Sequence, residues 1–222
     1  MAILALGLVT AAAQDSSELI DTYRRNFVRS SLGTKLELLK EASSYQGVDM
    51  GPLYDTSIQF ILSNASLLST DAVLRDMSIL SVNMVRKYRY APAADHLWEL
   101  FGVYKDNMVR VPVLQTLAEV AIGNKHILKE LNSSLDTQAT LFKAGTRPDE
   151  AVLDATVYAV GRLGDSSSFP YLFAVYTASV SKSITDRAGT AMAALDGDYA
   201  SFLAEVIRSH PPADKSAALE AG

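Results

Sequence analysis

Apolar residues along this chain recur at intervals of three and four, and no stretch shows the strict two-residue alternation of a half-buried strand. The runs are 11–18 residues long. They predict helices near 16–30, 34–45, 52–66, 71–88, 92–104, 107–122, 124–142, 149–163, 168–180, 183–195 and 198–208. Punctuation falls between them. Pro52, Pro92, Pro148 and Pro170 stand just ahead of apolar runs, where the first turn of a helix tolerates proline. Gly33, Gly51, Gly145, Gly164 and Gly197 lie between runs. The stretch AVGRLGDSSSFPYL (159–172) shows the pattern at its clearest. Gly164 can adopt the left-handed conformation that ends a helix, Asp165 or a following serine can cap the next start, and Phe169 and Leu172 resume the core. The tail from 209 to 222, SHPPADKSAALEAG, is expected to fray.

The helical pattern repeats. Segments starting at Val73, Met108, Ala151 and Ser183 align without gaps, their starts 35, 43 and 32 residues apart. The second position is always apolar (Leu74, Val109, Val152, Ile184), as are the tenth (Val82, Leu117, Val160, Met192) and thirteenth (Val85, Val120, Leu163, Leu195). The ninth is always small: Ser81, Thr116, Ala159, Ala191. Positions two, six, nine, ten and thirteen share one helical face, and small residues there let helices approach closely. A second apolar run follows each segment after a short turn. The repeating unit is therefore an antiparallel helix pair, and one pair alone cannot cover its own apolar face, so pairs must stack. The longer second-to-third spacing predicts an insertion or an extended helix around 132–147.

These residues resemble the HEAT repeat, in the variety written A-x-A-L-G-x-L-G-D. The matching positions are Ala155, Ala159, Val160, Gly161, Leu163, Gly164 and Asp165. The family also favours an aspartate four residues before an arginine at the start of its second helix, as in Asp71 with Arg75 and Asp106 with Arg110. In the third unit Asp149 is followed by Leu153, and in the fourth Ser181 and Thr185 replace both residues. The resemblance covers 71–208 most clearly, within a domain expected to span 14–208. It implies an all-α fold, an α-solenoid superhelix of stacked antiparallel pairs whose second helices line the concave side, and binding rather than catalysis.

Composition narrows the chemistry. The net charge of −5 is spread along the chain, which disfavours a nucleic-acid partner. With no cysteine, disulfides, thiolate metal sites and cysteine nucleophiles are excluded. His96, His126 and His210 lie far apart, without the spacing of a helical metal pair. No nucleophile elbow, phosphate loop or dinucleotide fingerprint occurs. No catalytic residue, metal or cofactor is expected.

Two groups remain as candidate binding residues. Asp76, Asp154 and Asp186 share the fourth repeat position, while Leu80, Gln115, Tyr158 and Thr190 share the eighth, one turn on. In a solenoid these columns would lie on or near the groove. A secondary patch is basic and aromatic: Arg86, Lys87, Tyr88, Arg89 and Tyr90 could contact phosphates and stack on bases. The simpler expectation is a positive helix end complementing its dipole, with the tyrosines packed on the next layer. Trp98, at helical spacing from Phe101, is expected in the core.

The first residues, MAILALGLVTAAAQDSS, are apolar over 2–9, with small residues at 11–13. They suggest the end of a secretory signal spanning 1–13, although no lysine or arginine precedes the run. The leading expectation is thus a non-enzymatic scaffold, exported to the periplasm or cell envelope, that binds a partner protein. Without a signal it would be cytoplasmic. Two alternatives stay open: a tetrapyrrole lyase, an activity known among chains of similar repeat type, and a solenoid binding anions or nucleic acid through Arg86–Tyr90.

Overall fold

The computed structural model describes residues 3–68, 70–209 and 211–221, with side chains from residue 16 onward except at 212, 213, 220 and 221. The side chains of the expected signal segment, 1–13, lie outside the described residues, as does His210. Among the described residues the chain is all-helical, without a strand. It divides into two compact units, Met1–Val120 and Ala121–Gly222.

The first unit holds α1 (Ile3–Arg29), α2 (Leu32–Ser43), α3 (Gly51–Ser63), α4 (Ala72–Tyr88), α5 (Ala94–Val103) and α6 (Asn107–Val120). Successive helices pair as α1 with α2, α3 with α4 and α5 with α6. Between pairs, α3 packs against α1 and α5, and α4 against α2 and α6. Odd helices thus meet odd, and even meet even.

The second unit holds α7 (Lys125–Lys143), α8 (Glu150–Leu163), α9 (Phe169–Ala178), α10 (Lys182–Ala193), α11 (Ala200–Ser209) and α12 (Pro212–Ala221). The pairs are α7 with α8, α9 with α10 and α11 with α12; α7 meets α9 and α8 meets α10 as in the first unit, whereas the last pair departs from the rule, α12 packing against α9. At 19 residues, α7 accounts for the long repeat spacing. The tail carries a helix, α12, whose Ala218 is buried and whose Asp214 pairs with Lys143 at 3.6 Å.

The repeated face is the core. Every residue at positions two, six, nine, ten and thirteen of the four repeats, which fall on α4, α6, α8 and α10 with Leu195 just past the last, is buried except Leu163, which is half-buried. The small ninth residue allows close contact. Ser81 donates to Ser57 Oγ on α3 at 2.9 Å, and a Cβ added to Gly161 of α8 would fall 2.9 Å from that of Ala191 on α10. Gly164 ends α8 at φ +66°, its N–H donating to the Val160 carbonyl. Asp165 then accepts from Ser167 N at 2.9 Å and Ser167 Oγ at 2.6 Å. These hydrogen bonds stabilise the carboxylate and hold its pKa below the usual value.

Candidate functional site: the outward columns of the even helices

The aspartates opening the even helices fix where the columns begin. Asp71 accepts from Val73 N and Leu74 N, and Asp149 from Ala151 N and Val152 N, so each caps its helix. Asp106 Oδ1 accepts from Met108 N at 2.8 Å. With the repeated face buried, the fourth and eighth positions turn to the surface: Asp76, Asp186 and Thr190 are exposed, and Leu80, Gln115, Asp154 and Tyr158 half-buried.

In the second unit, Arg187 of α10 reaches α8. Its Nε lies 2.6 Å from Asp154 Oδ1, and its guanidinium carbon 5.9 Å from the Tyr158 ring centroid. Asp154 and Tyr158 are therefore brought together around one cation, which neutralises the acid. Asp186 pairs along its own helix with Lys182, and Thr190 Oγ1 donates to the Asp186 carbonyl at 2.9 Å. The column here alternates in sign instead of being acidic throughout.

In the first unit a second arginine crosses between neighbouring even helices. Arg86 Nη1 of α4 donates to Gln115 Oε1 of α6 at 3.0 Å, and its Nη2 to Asn83 Oδ1 at 3.2 Å. The candidate column and the basic patch thus meet at Gln115–Arg86. The other residues of the patch also make contacts within the chain. Tyr88 stacks on Tyr54 with centroids 6.2 Å apart, and its hydroxyl is buried without a hydrogen-bond partner. Tyr90 packs on Gly51 so closely that a Cβ there would lie 2.6 Å from the ring. Burial first, then nearby aspartates, raises the pKa of both phenols. Arg89 holds the left-handed turn that ends α4, at φ +51°. Lys87 Nζ lies 5.2 Å from the Tyr88 centroid and donates to the Ser43 carbonyl at 3.3 Å. Trp98 is half-buried and stacks on Phe101 at 5.1 Å.

Two arrangements escaped sequence reading because their partners lie on other helices. Lys35 of α2 is 3% exposed. Its ammonium donates to the carbonyls of Phe27, Val28 and Ser30 at the end of α1 and lies 4.8 Å from both the Phe27 and Phe60 centroids. It caps α1, and burial pulls its pKa down. His96 Nδ1 lies 2.7 Å from Asp55 Oδ1, and Gln59 Nε2 donates to Asp55 Oδ2 at 2.9 Å. The carboxylate orients the imidazole, while the nearest sequence signal was a lone histidine. Among the described residues no group of three or more His, Asp or Glu side chains could hold a metal.

The chain matches no protein-family model, no curated protein and no solved structure.

Proposed function

We propose that the chain is a non-enzymatic scaffold, a HEAT-like α-solenoid whose units are stacks of helix pairs, and that it binds a partner protein through the outward columns of its even helices. Odd-on-odd and even-on-even packing within α1–α6 and within α7–α10 supports the architecture, as does burial of one repeated face on α4, α6, α8 and α10. The observation that carries the binding assignment is the pair of arginine bridges, Arg86–Gln115 and Arg187–Asp154. Each spans two even helices and holds half-buried polar groups in place before any partner arrives. Such pre-organisation lowers the ordering cost of binding. Arg187 against Tyr158 matches the arginine and aromatic enrichment of protein interfaces. The acidic balance points to a partner other than nucleic acid.

Export rests on the apolar 2–9 run. No helix among the described residues is long and apolar enough to cross a membrane.

Affinity purification with immobilised chain, followed by mass spectrometry, tests the assignment. Asp76→Arg and Thr190→Arg alter exposed column residues without touching the core. Together they should abolish retention of the partner that wild type captures, with the thermal transition unchanged. Full retention of that partner by the double variant would overturn the assignment.

A further inference from the structure

The second unit contains a cleft of about 400 Å³ between α9, α10 and the loop that follows α10. Its walls include Phe169 and Tyr176 from α9, Gly189 and Met192 from α10, and Tyr199 from the loop. The Tyr199 ring lies flat on Phe169, centroids 3.8 Å apart and planes 9° from parallel. Gly189 keeps the α10 wall thin: a Cβ there would already touch the Tyr176 ring at 3.4 Å. The volume falls within the range of small-molecule sites.

The electrostatics around this cleft run against habit. A helix C-terminus carries partial negative charge and is usually complemented by lysine, arginine or histidine in its last turn. The last turn of α10 has no basic residue. The chain instead continues into Asp196 and Asp198. Hydrogen bonds from Ala194 N and Leu195 N tie up the carbonyls of Thr190, Ala191 and Met192, and the negative end of the dipole remains uncompensated by charge. No lysine or arginine is among the residues lining the cleft. The Tyr199 phenol registers the same field: burial, then Asp196 and Asp165, push its pKa up. Its hydroxyl is buried against Gly197 and has no hydrogen-bond partner.

We infer that this cleft binds a small organic cation, an alkylated ammonium group carried on a compact body. The ammonium would sit among the aromatic rings at the negative end of α10, where cation–π attraction and the helix dipole add. A neutral molecule of the same shape gains the apolar contacts but neither electrostatic contribution. This inference is independent of the scaffold reading, because it uses residues of α9, α10 and the following loop that the candidate columns do not include.

Choline and its neutral carbon isostere, 3,3-dimethyl-1-butanol, are suitable probes for the full chain, followed by amide chemical shifts in solution. Choline should shift the signals of Gly189 and Gly197 and bind at least about tenfold more tightly than the alcohol, the scale of a desolvated cation–π contact. Asp196→Asn, at an exposed position, should weaken choline by about two- to fivefold and leave the alcohol unchanged. Tyr176→Ala, if it keeps the wild-type helical spectrum, should lower choline affinity further. Phosphatidylcholine vesicles separate sources: failure to pellet the chain is expected for a free solute, and pelleting that choline competes away would assign the same chemistry to a lipid headgroup. Equal affinities for choline and the alcohol, or shifts confined to residues outside the cleft, would overturn the inference.

Discussion

Arg187 Nε on α10 lies 2.6 Å from Asp154 Oδ1 on α8, and the same guanidinium faces Tyr158 at 5.9 Å. One side chain thereby joins two neighbouring even helices and two candidate binding residues. The pair is partly solvated, with Arg187 42% and Asp154 32% exposed, so solvent screens its attraction. A double-mutant cycle with Arg187→Ala and Asp154→Ala, read by urea denaturation, should give a coupling of about 0.5–1 kcal/mol. Zero coupling would mean that the bridge does not hold the column in place.

Lys35 should matter more. Lys35→Met keeps the stem but leaves the carbonyls of Phe27, Val28 and Ser30 without their donor. Replacing a buried ion by an apolar residue can be harmless when its partners leave with it, but these acceptors belong to the backbone and remain. The expected loss is about 3 kcal/mol, measured by denaturant unfolding. A variant as stable as wild type would show that α1 does not need this cap.

Two glycines should respond in opposite directions to alanine. Gly33, in the first turn of α2, has no atom within 4 Å of an added Cβ, and Gly33→Ala should stabilise by about 0.5 kcal/mol through chain entropy. At Gly161 the added Cβ would meet that of Ala191 at 2.9 Å, so α8 and α10 must separate. Overpacking outweighs the gain in helix propensity, and Gly161→Ala should lose about 1–2 kcal/mol. Thermal denaturation of the two variants side by side checks the ordering.

Alkali should unfold the chain cooperatively. Burial is the main cause that raises the pKa of Tyr54 and Tyr104 above the ordinary value of 10.0. Between the unfolded and folded values the native state holds protons that the unfolded chain releases. The stability contributed by these phenols is therefore complete below about pH 10 and lost as pH rises above it. Absorbance at 295 nm should show a late group of phenols ionising together with loss of helical circular dichroism. Ionisation of every tyrosine near pH 10 with the helix signal intact would contradict this.

Much of the fold was legible because its signals are local or periodic. The repeated face read from Leu74, Val82 and Val85 and their equivalents is the buried face, and Gly164 and Asp165 act at the turn as their chemistry suggests. The aspartates at 71, 106 and 149 stand at helix starts for the capping reason. The charge state of the columns was not legible. Arg86 and Gln115 are 29 residues apart, Asp55 and His96 are 41 apart, and Arg187 meets Asp154 from a different helix. No helical periodicity links such positions, since each bridge depends on how two helices stack. Lys35 was invisible for the same reason, a polar residue on a face whose neighbour could not be known. The patch at 86–90 reads as basic in sequence, yet Tyr88 and Tyr90 are committed to packing and Arg89 to ending a helix.

The most direct measurement of the proposed binding face is carboxylate footprinting. Carbodiimide with glycine ethyl ester labels exposed Asp and Glu, and mass spectrometry reads each site in the purified chain and in its native complex. The scaffold account expects Asp76 and Asp186, exposed on the even helices, to be protected in the complex, with Asp136 on α7 labelled equally in both states. Protection of Asp136 with Asp76 and Asp186 unchanged would place the partner on the odd helices and contradict the account.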